Sequence, residues 1–471
     1  MIEPTWISVL PPLLAILLAI VTRQVYLSLA AGIWMGWTIL VGWNPIAGLA
    51  RAIDETVIVL SDDGNAKVIL FTLVIGALIA TIEASGGVRG FVRWVEDRDW
   101  VTDGRRAQLL AWLIGVVIFI ESNITVLVAG AISRPLFDRF RVSREKLAYI
   151  IDSTSAPICI LIPLNAWGAY VLGLLGESGV ANPLNMFIGS IAFNFYALAA
   201  VTLTFIIVMT GINLGPMRVA EARAATGEVL SPNATPMLDQ DVLSPPPNDN
   251  IEPRARNMFL PILAMVVMMP ISLYITGGGD IRAGSGSTSV LWAVLTGLLV
   301  AWLLLLAQRA YTIDELTRTG LKGAGGLMSL ALVLLLALAL GSVARQLGTG
   351  AYLAQATAGL LPAMVFLPLV FLVGGAIGFS TGTSWGTFAI MVPIAVPAAQ
   401  ALGLPPEPFL AAALSGGIFG DHASPISDTT IIASMAAATD HIDHVRTQLP
   451  YALIAGSVAV VGFAVTGALI G

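Results

Sequence analysis

The chain has 471 residues, of which 57% are hydrophobic and only 11% are charged, with a formal net charge of −6. A soluble domain carries roughly 25% charged residues, so the composition excludes a soluble protein, a disordered chain and a nucleic-acid binder. The single cysteine, Cys159, excludes an internal disulfide and with it a secreted disulfide scaffold.

What remains is a polytopic membrane protein. Charge-free apolar runs of about 20 residues recur, each long enough for a bilayer core of about 30 Å. The first follows Met1–Trp6, which holds Glu3 and no basic residue, so it reads as a retained span rather than a signal peptide. In chain order the predicted spans are 6–22, 25–43, 66–82, 147–175, 187–211, 257–276, 289–307, 323–344, 408–438 and 448–470. Two further apolar stretches, 107–138 and 363–402, are interrupted midway by polar, Gly-rich sequence and read as re-entrant hairpins. With the N-terminus outside and both hairpins returning to their own side, 19 of the 23 Lys and Arg fall in inside loops. That bias predicts both termini outside and the central loop in the cytoplasm.

Residues 212–256 hold seven prolines and few apolar side chains, and read as a flexible cytoplasmic linker between two halves, 1–211 and 257–471. The halves echo one another. Each has a Leu-Pro or Pro-Pro element in its first span, a glycine-rich span end (Ser85–Phe91, Leu347–Leu353), a hairpin, and a span broken by a polar, proline-containing patch. The patches are Asp152-Ser-Thr-Ser-Ala-Pro157 and Asp421-His-Ala-Ser-Pro425, in predicted broken helices 147–175 and 408–438. Five spans per half is an odd number, so the second half enters from the opposite face and the repeats are inverted. The fold expected is all-α, with two inverted repeats of five transmembrane helices, each with a re-entrant hairpin and a broken helix. Breaks expose backbone groups that hydrocarbon cannot satisfy, so they line a polar cavity or lie buried in protein.

Acids in apolar stretches mark function by default. Asp152, Asp421, Asp428 and, at the first hairpin tip, Glu121 are the candidates for binding cations and protons, with Na+ held through Asp152, Asp421 and Asp428. The alternative role is capping at helix breaks. Small oxygen donors surround them: Ser122, Asn123 and Thr125 at the first tip; Ser380, Thr381, Thr383 and Ser384 at the second; Ser153, Ser155, Ser424, Ser427, Thr429 and Thr430 at the breaks. Hard cations take oxygen ligands. His422 is a candidate pH sensor, whereas Asp440-His-Ile-Asp-His444 reads as a solvated inside loop. No Lys or Arg falls in the expected cavity, which favours a cationic or amine-bearing cargo over a simple anion.

No P-loop or Asp-Lys-Thr sequence is present, so ATP-driven pumping has no support. Gly382-Thr-Ser-Trp-Gly386 matches a nucleophile pattern but sits in an apolar hairpin rather than a strand–turn–helix. An intramembrane hydrolase using Ser384 with His422 and a passive channel are the alternatives in other classes. Neither an enzymatic activity nor a cofactor is expected.

Gly420-Asp-His-Ala-Ser-Pro-Ile-Ser-Asp-Thr-Thr430, with Ser380-Thr-Gly-Thr-Ser-Trp-Gly-Thr387 upstream, resembles the NhaC family of Na+/H+ antiporters. Glu121-Ser-Asn123 and the Asp152 break extend the resemblance over most of the chain outside the linker. It implies kinship with the ion transporter superfamily, whose dicarboxylate/sodium symporters have inverted repeats and an elevator motion. The second tip here is Thr-Gly-Thr-Ser and the neighbour of the first tip is acidic, which departs from those symporters. Proteins similar to this family include Na+/H+ antiporters, Na+-lactate/H+-malate exchangers and amino-acid carriers. The resemblance therefore implies a Na+/H+ antiporter of the inner membrane, or a Na+- or H+-coupled carrier of a small carboxylate or amino acid. Dimerisation is expected by analogy.

Overall fold

A computed structural model describes the chain apart from residues 1–4, 23, 88, 92–100, 120–121, 164, 233, 237–251, 282–283, 350–351 and 353–361. Side chains 19, 20, 25, 123, 124, 131, 329, 330 and 428 also lie outside the description. Every regular element among the described residues is helical. Seven helices are long and apolar enough to cross a membrane, or up to nine when each sharply bent pair counts as one span. The chain is a multi-pass membrane protein.

The first half runs α1 (Leu10–Thr22), α2 (Val25–Leu40), α3 (Pro45–Ile58) and α4 (Asp63–Ala84). The hairpin α5 (Gly104–Val117) and α6 (Ser122–Arg139) follows. Next comes a helix broken into α7 (Arg144–Ser153), α8 (Ala156–Cys159) and α9 (Ala166–Glu177), then α10 (Pro183–Ile191) and α11 (Phe195–Thr210). A linker helix, α12 (Gly215–Ala225), separates this from α13 (Arg256–Thr276), α14 (Gly286–Ala307), α15 (Ile313–Gly326) and α16 (Met328–Gln346). The predicted second hairpin is α17 (Ala363–Thr381) and α18 (Ser384–Ala401), each long and apolar enough to cross a membrane, which the re-entrant reading did not expect; the second broken helix is α19 (Pro406–Ala423) and α20 (Asp428–Ala437), and α21 (His441–Ile470) closes the chain.

Two helices depart from the predicted spans. The α2–α3 pair turns through 118°. Asn44 caps α3 through Ile46 N and Ala47 N, and Pro45 opens it. Ile46, Leu49, Ile53 and Val57 form an exposed apolar stripe, while Gly48 and Ala52 face the protein. An amphipathic helix of this kind lies along a membrane surface rather than through it. α15, started by a Thr312–Glu315 capping box, is amphipathic too. The predicted span 187–211 is likewise two helices, α10 and α11.

The linker is ordered at its start, against the expectation of flexibility. Met217, Ala220 and Ala224 of α12 are buried. Glu221 accepts from Ser143 N (2.9 Å) and Ser143 Oγ (2.6 Å), at the start of α7. Its other oxygen pairs with the buried Lys146 at 3.4 Å, and Arg223 pairs with the buried Glu145. Thr235 N and Oγ1 donate to Asp440 Oδ2 at 3.1 and 2.9 Å, so the strap also ties down the start of α21. Composition hid this docking because one methionine and two small alanines, not an apolar run, make the contact.

The helices pack as two groups. α1–α4 and α13–α16 form one; the hairpins, broken helices, α11 and α21 form the other; they meet chiefly where α4 packs on α9 and α16 on α18. In the second group α17 crosses α19 on glycine. A Cβ on Gly420 would lie 2.2 Å from Gly375 O, and one on Gly378 would lie 2.8 Å from Gly417 O. Small residues four apart let backbones touch, and this contact brings the second hairpin tip to the level of the second break.

Candidate functional site

Both hairpin tips are pinned to helix breaks. At the first, Phe119 O accepts from Asn165 Nδ2 at 2.9 Å, and Asn165 also reaches Cys159 O at 2.8 Å. At the second, Phe379 O accepts from Ser424 Oγ at 2.7 Å. The second tip turns at Gly382 (φ 65°), where a Cβ would lie 2.4 Å from Ile426 O. Only glycine fits that left-handed, crowded position.

Asp421 sits at the end of α19, 2% exposed. One carboxylate oxygen accepts from Ser384 N (3.1 Å) and Ser384 Oγ on the second tip. The other accepts from Ser427 Oγ at 2.6 Å. Ser427 also caps α20 through Thr430 N and lies 3.0 Å from Thr429 Oγ1. Thr430 then donates to Asp152 Oδ2 at 3.1 Å. The first turn of α20 thus joins the two carboxylates, and its helix N-terminus favours their negative charge.

Asp152 is 1% exposed at the end of α7. Its Oδ2 also accepts from Gln448 Nε2 at 2.7 Å. Its Oδ1 is buried without a hydrogen-bond partner among the described residues. A buried charged group lacking a partner costs more than about 1–3 kcal/mol. No described Lys or Arg pairs with either carboxylate; His422 Nε2 and His444 Nε2 each stand 3.9 Å from Asp152 Oδ2.

All three histidines of the chain belong to this network. His422 Nε2 lies 3.1 Å from Ser153 Oγ, and its Nδ1 lies 2.6 Å from Tyr196 OH. Gln448 spends its second amide hydrogen on His422 O at 2.7 Å. Its oxygen therefore faces His444 Nε2 at 2.9 Å, which must carry the proton. His444 Nδ1 and His441 Nδ1 both meet Ser434 Oγ, at 2.9 and 3.0 Å, and His441 Nε2 reaches Pro425 O at 2.6 Å. His441 is partly exposed, so the network runs from near the surface to Asp152.

The structure thus brings together Asp152, Ser153, Asp421, His422, Ser384, Ser427, Thr429 and Thr430. Ser155 returns its hydroxyl to Asp152 O at 2.9 Å, at the break. Ser424 braces the second tip. Thr125 closes on Ile118 O within the first hairpin, Ser122 is buried beside it, and Thr381 bonds back to Ile377 O at 2.8 Å. Thr383 stands at the N-cap of α18 without a capping bond. Glu121 and the side chains of Asn123 and Asp428 lie outside the described residues. Among the described residues no three of His, Cys, Asp and Glu converge to hold a metal ion, so a cation here would rely on hydroxyls and carbonyls beside carboxylate.

His444, Gln448, Ser434 and Tyr196 were missed. Asp440–His444 is not a solvated loop: Asp440 caps α21 through Ile442 N and Asp443 N, the helix starts at His441, and His444 is fully buried. The spacing of His444 and Gln448, four apart on one helix face, was the available signal.

Residues 178–468 match the Na+/H+ antiporter family. The chain belongs to that family. It is a secondary transporter. An uncharacterized protein of Haemophilus influenzae is 35% identical over 98% of this chain and 90% of its own length. The arginine/ornithine antiporter ArcD of Halobacterium salinarum is 27% identical over 46% of this chain and 44% of its own. Among solved structures, the Alcanivorax borkumensis YdaH transporter shares the fold, with a TM-score of 0.58 over 90% of this antiporter-family chain and 88% of YdaH, at 14% identity.

Proposed function

We propose that this transporter exchanges Na+ for H+ across the cytoplasmic membrane at a site built on Asp152 and Asp421. The observation that carries the reading is the Asp152 carboxylate, fully buried, with no Lys or Arg counter-ion and one oxygen without a partner among the described residues. A proton or a Na+ ion would each satisfy that oxygen, and one excludes the other. Antiport is the consequence of that competition. Asp421, already bonded by Ser384 and Ser427, adds negative charge next to the cation. Thr430, Thr429, Ser153 and backbone carbonyls freed at the breaks complete an oxygen shell. Asp428 is assigned to the same exchangeable charge, and Glu121 assists.

In this proposal residues 1–211 and 257–471 are inverted repeats, and the site-bearing helix group moves against the other as an elevator. The linker 212–256 faces the cytoplasm and both termini lie outside, in line with the distribution of Lys and Arg.

The second reading is exchange of a small amine-bearing or carboxylate cargo coupled to Na+ or H+. ArcD favours it, because an amine suits a pocket with two carboxylates and no described Lys or Arg partner. One assay separates the two. Inside-out vesicles holding a ΔpH are challenged in turn with Na+, Li+, K+, malate, arginine and ornithine. Collapse of the gradient by Na+ alone supports the first reading; collapse only with an organic solute replaces it with the second.

A further inference from the structure

The two helix groups also touch through charge. Glu177, the last residue of α9, is 8% exposed. One of its oxygens accepts from Asn65 Nδ2 of α4 at 3.1 Å, and the other from the Arg345 guanidinium of α16. Asn65 is itself buried and fixed by a second bond to Val59 O at 3.2 Å. On α16, one turn before Arg345, stands Gly341; a Cβ there would come within 3.2 Å of Glu177 Cγ. A carboxylate carried by the broken helix is thus seated in a socket made by two helices of the other group.

The socket stands at the edge of the packed α4–α9 contact, where Val68 is 1% exposed. A cavity of about 300 Å3 adjoins the socket, walled by Asp62, Asn65 and Val68 on the α4 side and by Leu172, Gly173 and Gly176 on α9. Where two helix groups adhere by apolar packing, separating them exposes apolar surface to water and costs about 25 cal/mol per Å2. Here a cavity lies beside that packing, next to the Glu177 socket. Arg345 is 43% exposed on its side chain, so its charge hydrates readily when the carboxylate leaves.

We propose that Glu177, clasped by Arg345 and Asn65, is a releasable latch that holds the site-bearing helices against α4 and α16 in the conformation seen here. The latch acts on the relative position of the two groups and is independent of which cargo the site takes.

The test uses the purified full chain without cargo. Val68→Cys places a thiol in the α4–α9 contact, where the side chain is 1% exposed and packs against Gly173, and Cys159→Ser removes the native one. Maleimide labelling of the introduced thiol is timed in this parent and in the same parent carrying Glu177→Gln, Arg345→Gln or both. A latch gives roughly tenfold faster labelling in each single variant, and the double variant is no faster than either single, because both break one contact. Thermal unfolding of each variant is followed alongside. Labelling at the parental rate in both single variants overturns the proposal. So does faster labelling that merely tracks a loss of folded protein, or single effects that multiply in the double.

Discussion

Asp152→Asn separates the role of the carboxylate as an exchange site from its role in the fold. The amide oxygen can replace Oδ2 as acceptor for Gln448 Nε2 and Thr430 Oγ1, and the amide nitrogen takes the place of the unpartnered Oδ1. Each of the two bonds then loses its charge-assisted part, about 1 kcal/mol. Relief from burying an ionised group offsets that loss, so stability should change by less than about 2 kcal/mol. Cation binding should change far more. A unit charge about 4 Å from a carboxylate is held by about 4 kcal/mol at an effective dielectric of 20, which corresponds to about a thousandfold in affinity. The assay is Na+-driven proton flux in proteoliposomes, paired with thermal unfolding in detergent. Loss of flux with near-normal unfolding is the expected pair. Normal flux with an unchanged half-saturating Na+ concentration would rule out Asp152 as the exchange site; collapse of the fold would make Asp152 a structural carboxylate.

Two further perturbations probe the scaffold. A Cβ on Gly130 of α6 would lie 2.6 Å from Ala436 Cβ and 2.9 Å from its backbone on α20, so Gly130→Val should destabilise by about 1–3 kcal/mol, read as a lower unfolding temperature; an unchanged temperature would show that the crossing is slack. Burial raises the Glu145 carboxyl above its ordinary range, and its own backbone N–H and Arg223 offset this only in part. A raised carboxylate pKa means the folded protein binds the extra proton, so stability falls as pH rises from the ordinary value of 4.5 through the folded value. Glu145→Gln removes that slope. Its unfolding temperature relative to the natural chain should climb across the same window, and a constant difference would contradict the assignment.

Much of this site was legible in the sequence, for reasons that particular residues make plain. Polar patches with proline inside apolar runs mark breaks because hydrocarbon tolerates no free backbone there, so Asp152, Asp421 and Ser427 stood out. Their local partners followed from position: Ser384 opens the helix after a Gly382 turn, and Thr430 lies in the first turn of α20. His444 and Gln448 did not stand out. They lie at the polar start of α21, which begins seven residues before the apolar stretch it was read from, and nothing local points from there to Asp152. Hydropathy runs also overlooked α3 and α15, whose apolar residues are spread over one helix face instead of forming a run. The latch pairs Glu177 with Arg345 across 168 positions, a separation no local pattern encodes.

In the proposed exchange a proton and a cation compete for one buried carboxylate. Proton release from purified protein on adding Na+, in weakly buffered detergent solution, tests it most directly. Na+ binding should expel protons into solution, and Asp152→Asn should abolish the release. Saturable Na+ binding with no proton released, or release that persists undiminished in Asp152→Asn, would contradict it.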